Sequence, residues 1–533
     1  MITTKISSTS DSLDAVLEGA KILYDAVSTT MGPRGSNVIF RKYGKRVGVT
    51  HDGVTVAKMV KINDEMQDVG ADLLREAAMK MDATTGDGTT TVTVLSYHIL
   101  KEAVEAIKAG ANPMKLKLAI DALQPEILAQ IDKYTDKDMT EKKLIDVASV
   151  ASGSKEIGKE VGEVVFKAGK DTPILLGFSD STETRAEVIK GFKIDAGPAS
   201  PYLMQGVVKT EIASPKILVA DAKLRDKEDV LPLLKLIAQL PEDQRRVLLA
   251  CSDIAGDALS YMVVNHLKGF AQIAVVRVPA HINAQSEYLA DVATSCGATL
   301  MSKNTGASIM EPEISYFGNA KRVTVEPNET IIVEGEPIKE DMDARIASLK
   351  DLQKNGKTIV ARKFADDRLK TLEQKVVSIY VGGQSETDAE ERHYRYEDAV
   401  GASRAALRGG IVPGGGTLLA SIAETIGGLS AEGDLVARAL VRPMTKVLSN
   451  AGIINELDEG VAGVKVGHGY DVMNPDDGVI DLVERGIVDP AESEIECIKT
   501  AIAIAGLLMT TGAMVVDQGE PDATQFPQST YPS

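Results

Sequence analysis

Between two segments of helical periodicity the chain reads Thr84-Thr85-Gly86-Asp87-Gly88-Thr89-Thr90-Thr91. The glycines allow close backbone approach, and the threonine run opens a helix whose free N–H groups and positive dipole end attract an anion. The pattern is that of a phosphate cradle. A carboxylate at Asp87 would repel phosphate unless a hard cation stood between them, so the same stretch points to Mg²⁺ bridging carboxylate and phosphate oxygens. Asp, Gly and Thr are also common at helix starts, and a capped loop with no ligand satisfies this segment equally well.

Outward from that stretch the periodicity divides the chain. Upstream, Leu13, Val16, Leu17, Ala20, Leu23, Tyr24 and Val27 recur at three and four, one face of a helix that stops at Gly32-Pro33. Met66, Val69, Leu73, Ala77 and Met81 mark a second helix, and a third is expected over residues 89–109 with Gly110 as its terminator. In the middle of the chain, β-branched runs at 217–220, 247–250, 273–278 and 298–301 alternate with helical segments. That is the rhythm of βαβ units and a largely parallel sheet. Helices return at 399–407, 435–448 and 492–510. The order predicts one domain built from both chain ends, with another inserted between them.

Length and composition bound the function. At 533 residues the chain exceeds any single small binding module. Its formal net charge of −18 argues against a nucleic-acid partner, so any phosphate is handled by a local site. Cys251, Cys296 and Cys497 stand far apart, which fits neither a zinc ribbon nor a disulfide framework and suits a reducing cytoplasm. The first twenty residues carry no secretory or organelle-targeting pattern. The most apolar run, residues 501–516, is too short to span a bilayer and reads as a buried helix. No membrane role is expected.

Three further glycine turns could reach the same ligand: Met31-Gly32-Pro33-Arg34-Gly35, Thr50-His51-Asp52-Gly53-Val54, and Val412-Pro413-Gly414-Gly415-Gly416-Thr417. Each alone reads as well as an interhelical turn. Together with Glu397-Asp398-Ala399 and Gly486-Ile487-Val488-Asp489-Pro490, the segments, in this order, resemble the group I chaperonins of the bacterial GroEL type over nearly the whole chain.

The resemblance implies a multidomain α and α/β fold. It comprises an equatorial ATPase domain at 1–133 and 409–533, an intermediate domain at 134–190 and 374–408, and an apical α/β domain at 191–373. It implies ATP and Mg²⁺, with K⁺ as a further candidate cation. Carried over, Thr30, Met31, Gly32, Pro33 and Gly53 would hold the nucleotide, Asp87 the metal, and Gly88, Thr89, Thr90 and Thr91 the phosphates. Gly415 and Asp489 would hold the adenosine end. Asp398 would orient the attacking water once a hinge closes, assisted by Asp52. Without the resemblance, Asp398 reads as a helix N-terminal acid.

Two middle helices carry more apolar residues than one buried stripe needs: Val230, Leu231, Leu233, Leu234, Leu236 and Ile237, then Ala258, Leu259, Tyr261, Met262, Val263, Val264 and Leu267. The surplus is either interior or exposed for binding. The resemblance implies a groove for non-native polypeptide clients formed by Leu231, Leu234, Leu259, Val263 and Val264, with Tyr202 and Leu203 from the preceding loop. It also implies a homo-oligomeric ring of seven subunits and a separate co-chaperonin lid.

Departures from the family pattern are His51 for a usual lysine, Gly153 for a polar residue, Asp471-Val472 at the adenine end, and Gln374-Lys375 for a hinge glycine pair. Ile453-Ile454 also replaces an acidic pair, and 526–533 lacks Gly-Gly-Met repeats. An alternative function is therefore a nucleotide-responsive holdase or scaffold with little turnover. A small-molecule phosphotransferase would leave the over-apolar helices unexplained.

Overall fold

The apolar face at 13–27 folds as helix Thr9–Val27, followed by helices Glu65–Thr84 and Thr89–Lys108. These belong to a computed structural model that describes residues 4–7, 9–41, 47–170, 172–179, 181–204, 209–279, 285–356, 358–454 and 465–517. The chain forms two compact units, one drawn from 1–170, 178–184 and 381–533, the other from 171–177 and 185–380.

In the first unit the two chain ends share one core. Helix Ala491–Met509 packs against Thr89–Lys108 and Pro113–Lys133, and strand Thr4–Ser7 pairs antiparallel with Met514–Asp517. Leu23, Leu74, Met81, Leu95, Ile99, Ile498 and Ile502 are buried together there. Helix Glu386–Gly409 packs against Glu141–Ser152 and Lys155–Ala168. It thereby carries Asp398 on a rigid element rather than a loop.

The second unit contains the expected parallel strands. Lys216–Leu224, Arg246–Ile254 and Gln272–Arg277 pair in parallel, with Leu300–Met301 parallel on the other side of the first. Its antiparallel part, in which Thr330–Gly335 lies between Arg185–Ile194 and Gly318–Val325, was not evident from the β-branched runs. The fold class is thus a mainly helical unit from both chain ends with an inserted α/β unit.

Two local expectations change. The pattern at 435–448 is two helices, Ala431–Leu440 and Arg442–Asn450, because Pro443 opens the second and cannot donate into the first. The apolar run at 501–516 is helix only to Met509, and its end is the strand Met514–Asp517. Among the described residues no helix is long and apolar enough to cross a membrane. The tail at 526–533 lies outside the described residues.

Candidate functional site

A cavity of about 1550 Å³ opens within the first unit, and every residue assigned above to nucleotide, metal or hydrolysis lines it. The turns converge on the start of helix Thr89–Lys108. Thr30 Oγ1 donates to the Val27 carbonyl at 2.8 Å and lies 3.5 Å from Thr90 Oγ1. Met31, Gly32 and Pro33 continue that wall, with the Met31 carbonyl held by Asn450 Nδ2 at 2.9 Å. A β-carbon on Gly53 would stand 2.3 Å from Thr90 Oγ1, so glycine is what lets this turn reach the threonines.

Gly88 caps that helix at φ +78°, a left-handed conformation that favours glycine, and no side chain caps the first turn. The N–H groups of Thr89, Thr90 and Thr91 therefore point to the ligand space at the positive end of a long helix. Cys497 Sγ donates to the Gly88 carbonyl at 3.3 Å, which ties the cradle to helix Ala491–Met509.

Asp52 is the N-cap of helix Gly53–Met59, accepting from Val54 N at 3.0 Å and Thr55 N at 2.8 Å. Those bonds fix its carboxylate while lone pairs remain for a water. Asp398 lines the same cavity, and its pKa lies well above the ordinary carboxylate range, through burial first and then the charges of Asp52, Glu397 and Asp87. Burial also raises the Asp87 pKa, with the neighbouring Ser493 hydroxyl and Gly88 backbone opposing the shift. Hinge closure was expected to bring Asp398 in; here it already stands with Asp52 and Asp87.

At the other side, strand Ile411–Pro413 pairs with Val488–Pro490, setting Val412 opposite Asp489, whose ionised form the Gly415 backbone favours. Asp489 is pushed up to about 7 by burial and by Asp87. Glu494 is raised likewise by burial, Asp489 and Asp87, a partner that sequence reasoning missed. Its signal was position: it opens the helix that follows Asp489-Pro490.

Carboxylates that share a buried space disfavour one another's ionisation. Among the described residues no group of three or more His, Cys, Asp or Glu side chains forms a ready-made metal site. The donor set fits a Mg²⁺ held by Asp87 and completed by phosphate oxygens and water.

The departures have local causes. Gly153 ends helix Glu141–Ser152 at φ +62°, where a polar β-carbon residue would be strained. Asp471 accepts from Met473 N at 3.0 Å and Asn474 Nδ2 at 2.9 Å, shaping the wall beside the buried Val472. Ile453 and Ile454 are half-buried against the cluster of Met444, Leu448 and Val472.

In the second unit the assigned client residues separate. Tyr202, Leu231 and Val264 are 69%, 39% and 45% exposed, and Leu259 and Val263 are partly buried. Leu203 and Leu234 are not surface residues: they pack with Leu218, Val230 and Leu233 in the core. Leu234 on helix Lys227–Ala238 is thus part of the core, which corrects the expected groove. Tyr261 and Leu267, not assigned above, are exposed on helix Gly256–Leu267.

The sequence matches the TCP-1/cpn60 chaperonin family over residues 23–519. The chain belongs to that family, as a divergent, group I-like chaperonin, and its broad role is that of a chaperone. Members of the family are ATPases, act on client polypeptides and form rings. The fold is similar to crystal structures of the chaperonin gp146 from the bacteriophage EL 2 (Pseudomonas aeruginosa) in presence of ATP-BeFx. TM-scores are 0.66 and 0.60 in its two crystal forms, with 22% identity and coverage of 97% of this chain and 99% of that chain.

Proposed function

We propose that this chaperonin binds and hydrolyses ATP and uses the cycle to capture and release non-native polypeptides. One observation carries the reading: three glycine turns from distant parts of the chain, an uncapped helix N-terminus and the carboxylates of Asp52, Asp87 and Asp398 surround one cavity. A cavity of about 1550 Å³ is more than a capped loop needs. The backbone N–H groups of residues 89–91 hold the phosphates, and Gly32, Gly53 and Gly415 let the backbone come close. A Mg²⁺ on Asp87 supplies positive charge to the phosphate oxygens. Asp398, with Asp52, orients the attacking water.

The chain works as equatorial segments at 1–133 and 409–533, intermediate segments at 134–190 and 374–408, and an apical segment at 191–373. Clients meet an apical surface of Tyr202, Leu231 and Val264, extended by Tyr261, Leu267 and the partly buried Leu259 and Val263. Apolar contacts require no particular client sequence. The working assembly is a seven-membered cytoplasmic ring closed by a separate co-chaperonin, with ATP, Mg²⁺ and K⁺. ATP hydrolysis measured alongside refolding of an aggregation-prone client tests this: both should occur. Refolding or holding without turnover would establish the holdase, and turnover without any client effect would overturn the chaperone cycle.

A further inference from the structure

The phosphate end of the cavity is poor in cations. The turns at residues 30–33, 51–53 and 87–91 contribute His51 as their one basic side chain. Burial first, and then the Arg395 guanidinium, lower the His51 pKa, so its imidazole is neutral near pH 7. A nucleoside triphosphate brings more negative charge than one divalent cation cancels, and several carboxylates already face that space.

Arg395 lines the same cavity, three residues before Asp398 on helix Glu386–Gly409, and so on the same helical face. Its Nε donates to Glu391 Oε1 at 2.5 Å and its Nη1 to the Ser152 carbonyl at 3.2 Å. Those bonds hold the guanidinium, and its Nη2 has no partner among the described residues. Gly153 lies beside the fork: a β-carbon there would meet Nη1 at 3.6 Å, an ordinary van der Waals contact, so it is the φ of +62° that favours glycine. The other cations of this wall, Lys155 and Lys159, are exposed.

We propose that Arg395 is the cation that contacts the terminal phosphate of the bound nucleotide, so that one helix supplies both the water-orienting carboxylate and the neutralising guanidinium. The assignment rests on the ATP-binding reading of this cavity. A planar, permanently charged fork suits phosphate oxygens, and a guanidinium supplied in cis stabilises charge during phosphoryl transfer. The arrangement also gives the site a means of telling ATP from ADP, because only the triphosphate reaches that fork.

The experiment measures Mg·ATP and Mg·ADP affinities of the full-length chain in an Asp398→Ala background, where ATP persists, with Arg395→Gln, Arg395→Lys and Lys155→Ala added singly. Arg395→Gln should weaken ATP about tenfold or more, as expected for a lost hydrogen bond to a charged group, and change ADP less than twofold. Arg395→Lys, which keeps the charge, should retain most of the preference, and Arg395→Met, which keeps the length without the charge, serves if the glutamine variant fails to fold. Lys155→Ala should leave the ATP-to-ADP ratio unchanged. Equal loss of both nucleotides on removal of the Arg395 charge, or an ATP-to-ADP ratio unchanged by that removal, overturns the proposal alone. A parent that binds neither nucleotide overturns the ATP reading and this proposal with it.

Discussion

A β-carbon on Gly401 would stand 2.2 Å from the carbonyl oxygen of Gly86, so helix Glu386–Gly409 lies with its backbone directly against the phosphate loop. Gly86 itself sits at φ +66°, next to Asp87. One turn before Gly401 on the helix is Asp398. The contact sets Asp398 and Asp87 beside one cavity.

Gly401→Ala tests that contact, because helix propensity and packing predict opposite signs. Alanine in a helix interior is favoured over glycine by roughly 0.5–1 kcal/mol. Overpacking costs about 1–3 kcal/mol, and the atom met here is backbone, which cannot rotate aside. The expected result is a lower melting temperature and slower ATP hydrolysis, with nucleotide affinity within a few-fold. A more stable variant with unchanged turnover would show that the helix need not touch the loop.

Asp398→Ala and Asp87→Ala should separate hydrolysis from binding. The first removes the carboxylate we propose orients the water, so turnover should fall strongly while affinity stays within a few-fold. The second removes the assigned metal ligand, so nucleotide affinity should lose its Mg²⁺ dependence. Comparable losses of binding and turnover in the first, or unchanged Mg²⁺ dependence in the second, would reverse these roles.

The acids of the cavity make the nucleotide-free protein sensitive to pH. Asp87, Asp398, Asp489 and Glu494 all hold their protons to higher pH in the fold than in the unfolded chain. In the window between about 4, where unfolded carboxylates ionise, and neutrality, the folded state binds more protons. Stability therefore falls as pH rises through that window. Urea midpoints should be lower at pH 8 than at pH 5, and Asp489→Asn should flatten the slope. A midpoint that rises with pH would mean the acids are already compensated.

What the sequence made legible was the chemistry of glycine. At Gly88, Gly53 and Gly32 the local backbone demand is written in the residue itself, and turns from distant parts of the chain could be recognised one by one. The parallel strands were legible because burial on both faces leaves unbroken β-branched runs. Periodicity left the surplus apolar residues either interior or exposed, and it was the family resemblance that placed Leu234 in a groove, whereas its side chain is buried. Nor could periodicity reveal Glu494 or Arg395, whose roles come from elements packed beside the glycine turns.

The apical surface gives the last prediction, in which burial decides the outcome. Leu231 and Val264 are exposed, and exposed substitutions usually change stability by no more than about 0.5 kcal/mol each. Replacing both with Ser should leave the fold and basal ATP hydrolysis intact while sharply reducing capture of an unfolded client. Leu234 is 7% exposed and packed against Val230 and Leu233, so Leu234→Ser should cost at least the roughly 2–5 kcal/mol of a buried leucine truncation. Circular dichroism melts and co-sedimentation with a denatured client would check both variants. If the Leu231 and Val264 pair unfolds the protein, those side chains are structural. If Leu234→Ser stays folded and alone loses the client, the capture surface runs deeper than the exposed residues, between the two helices.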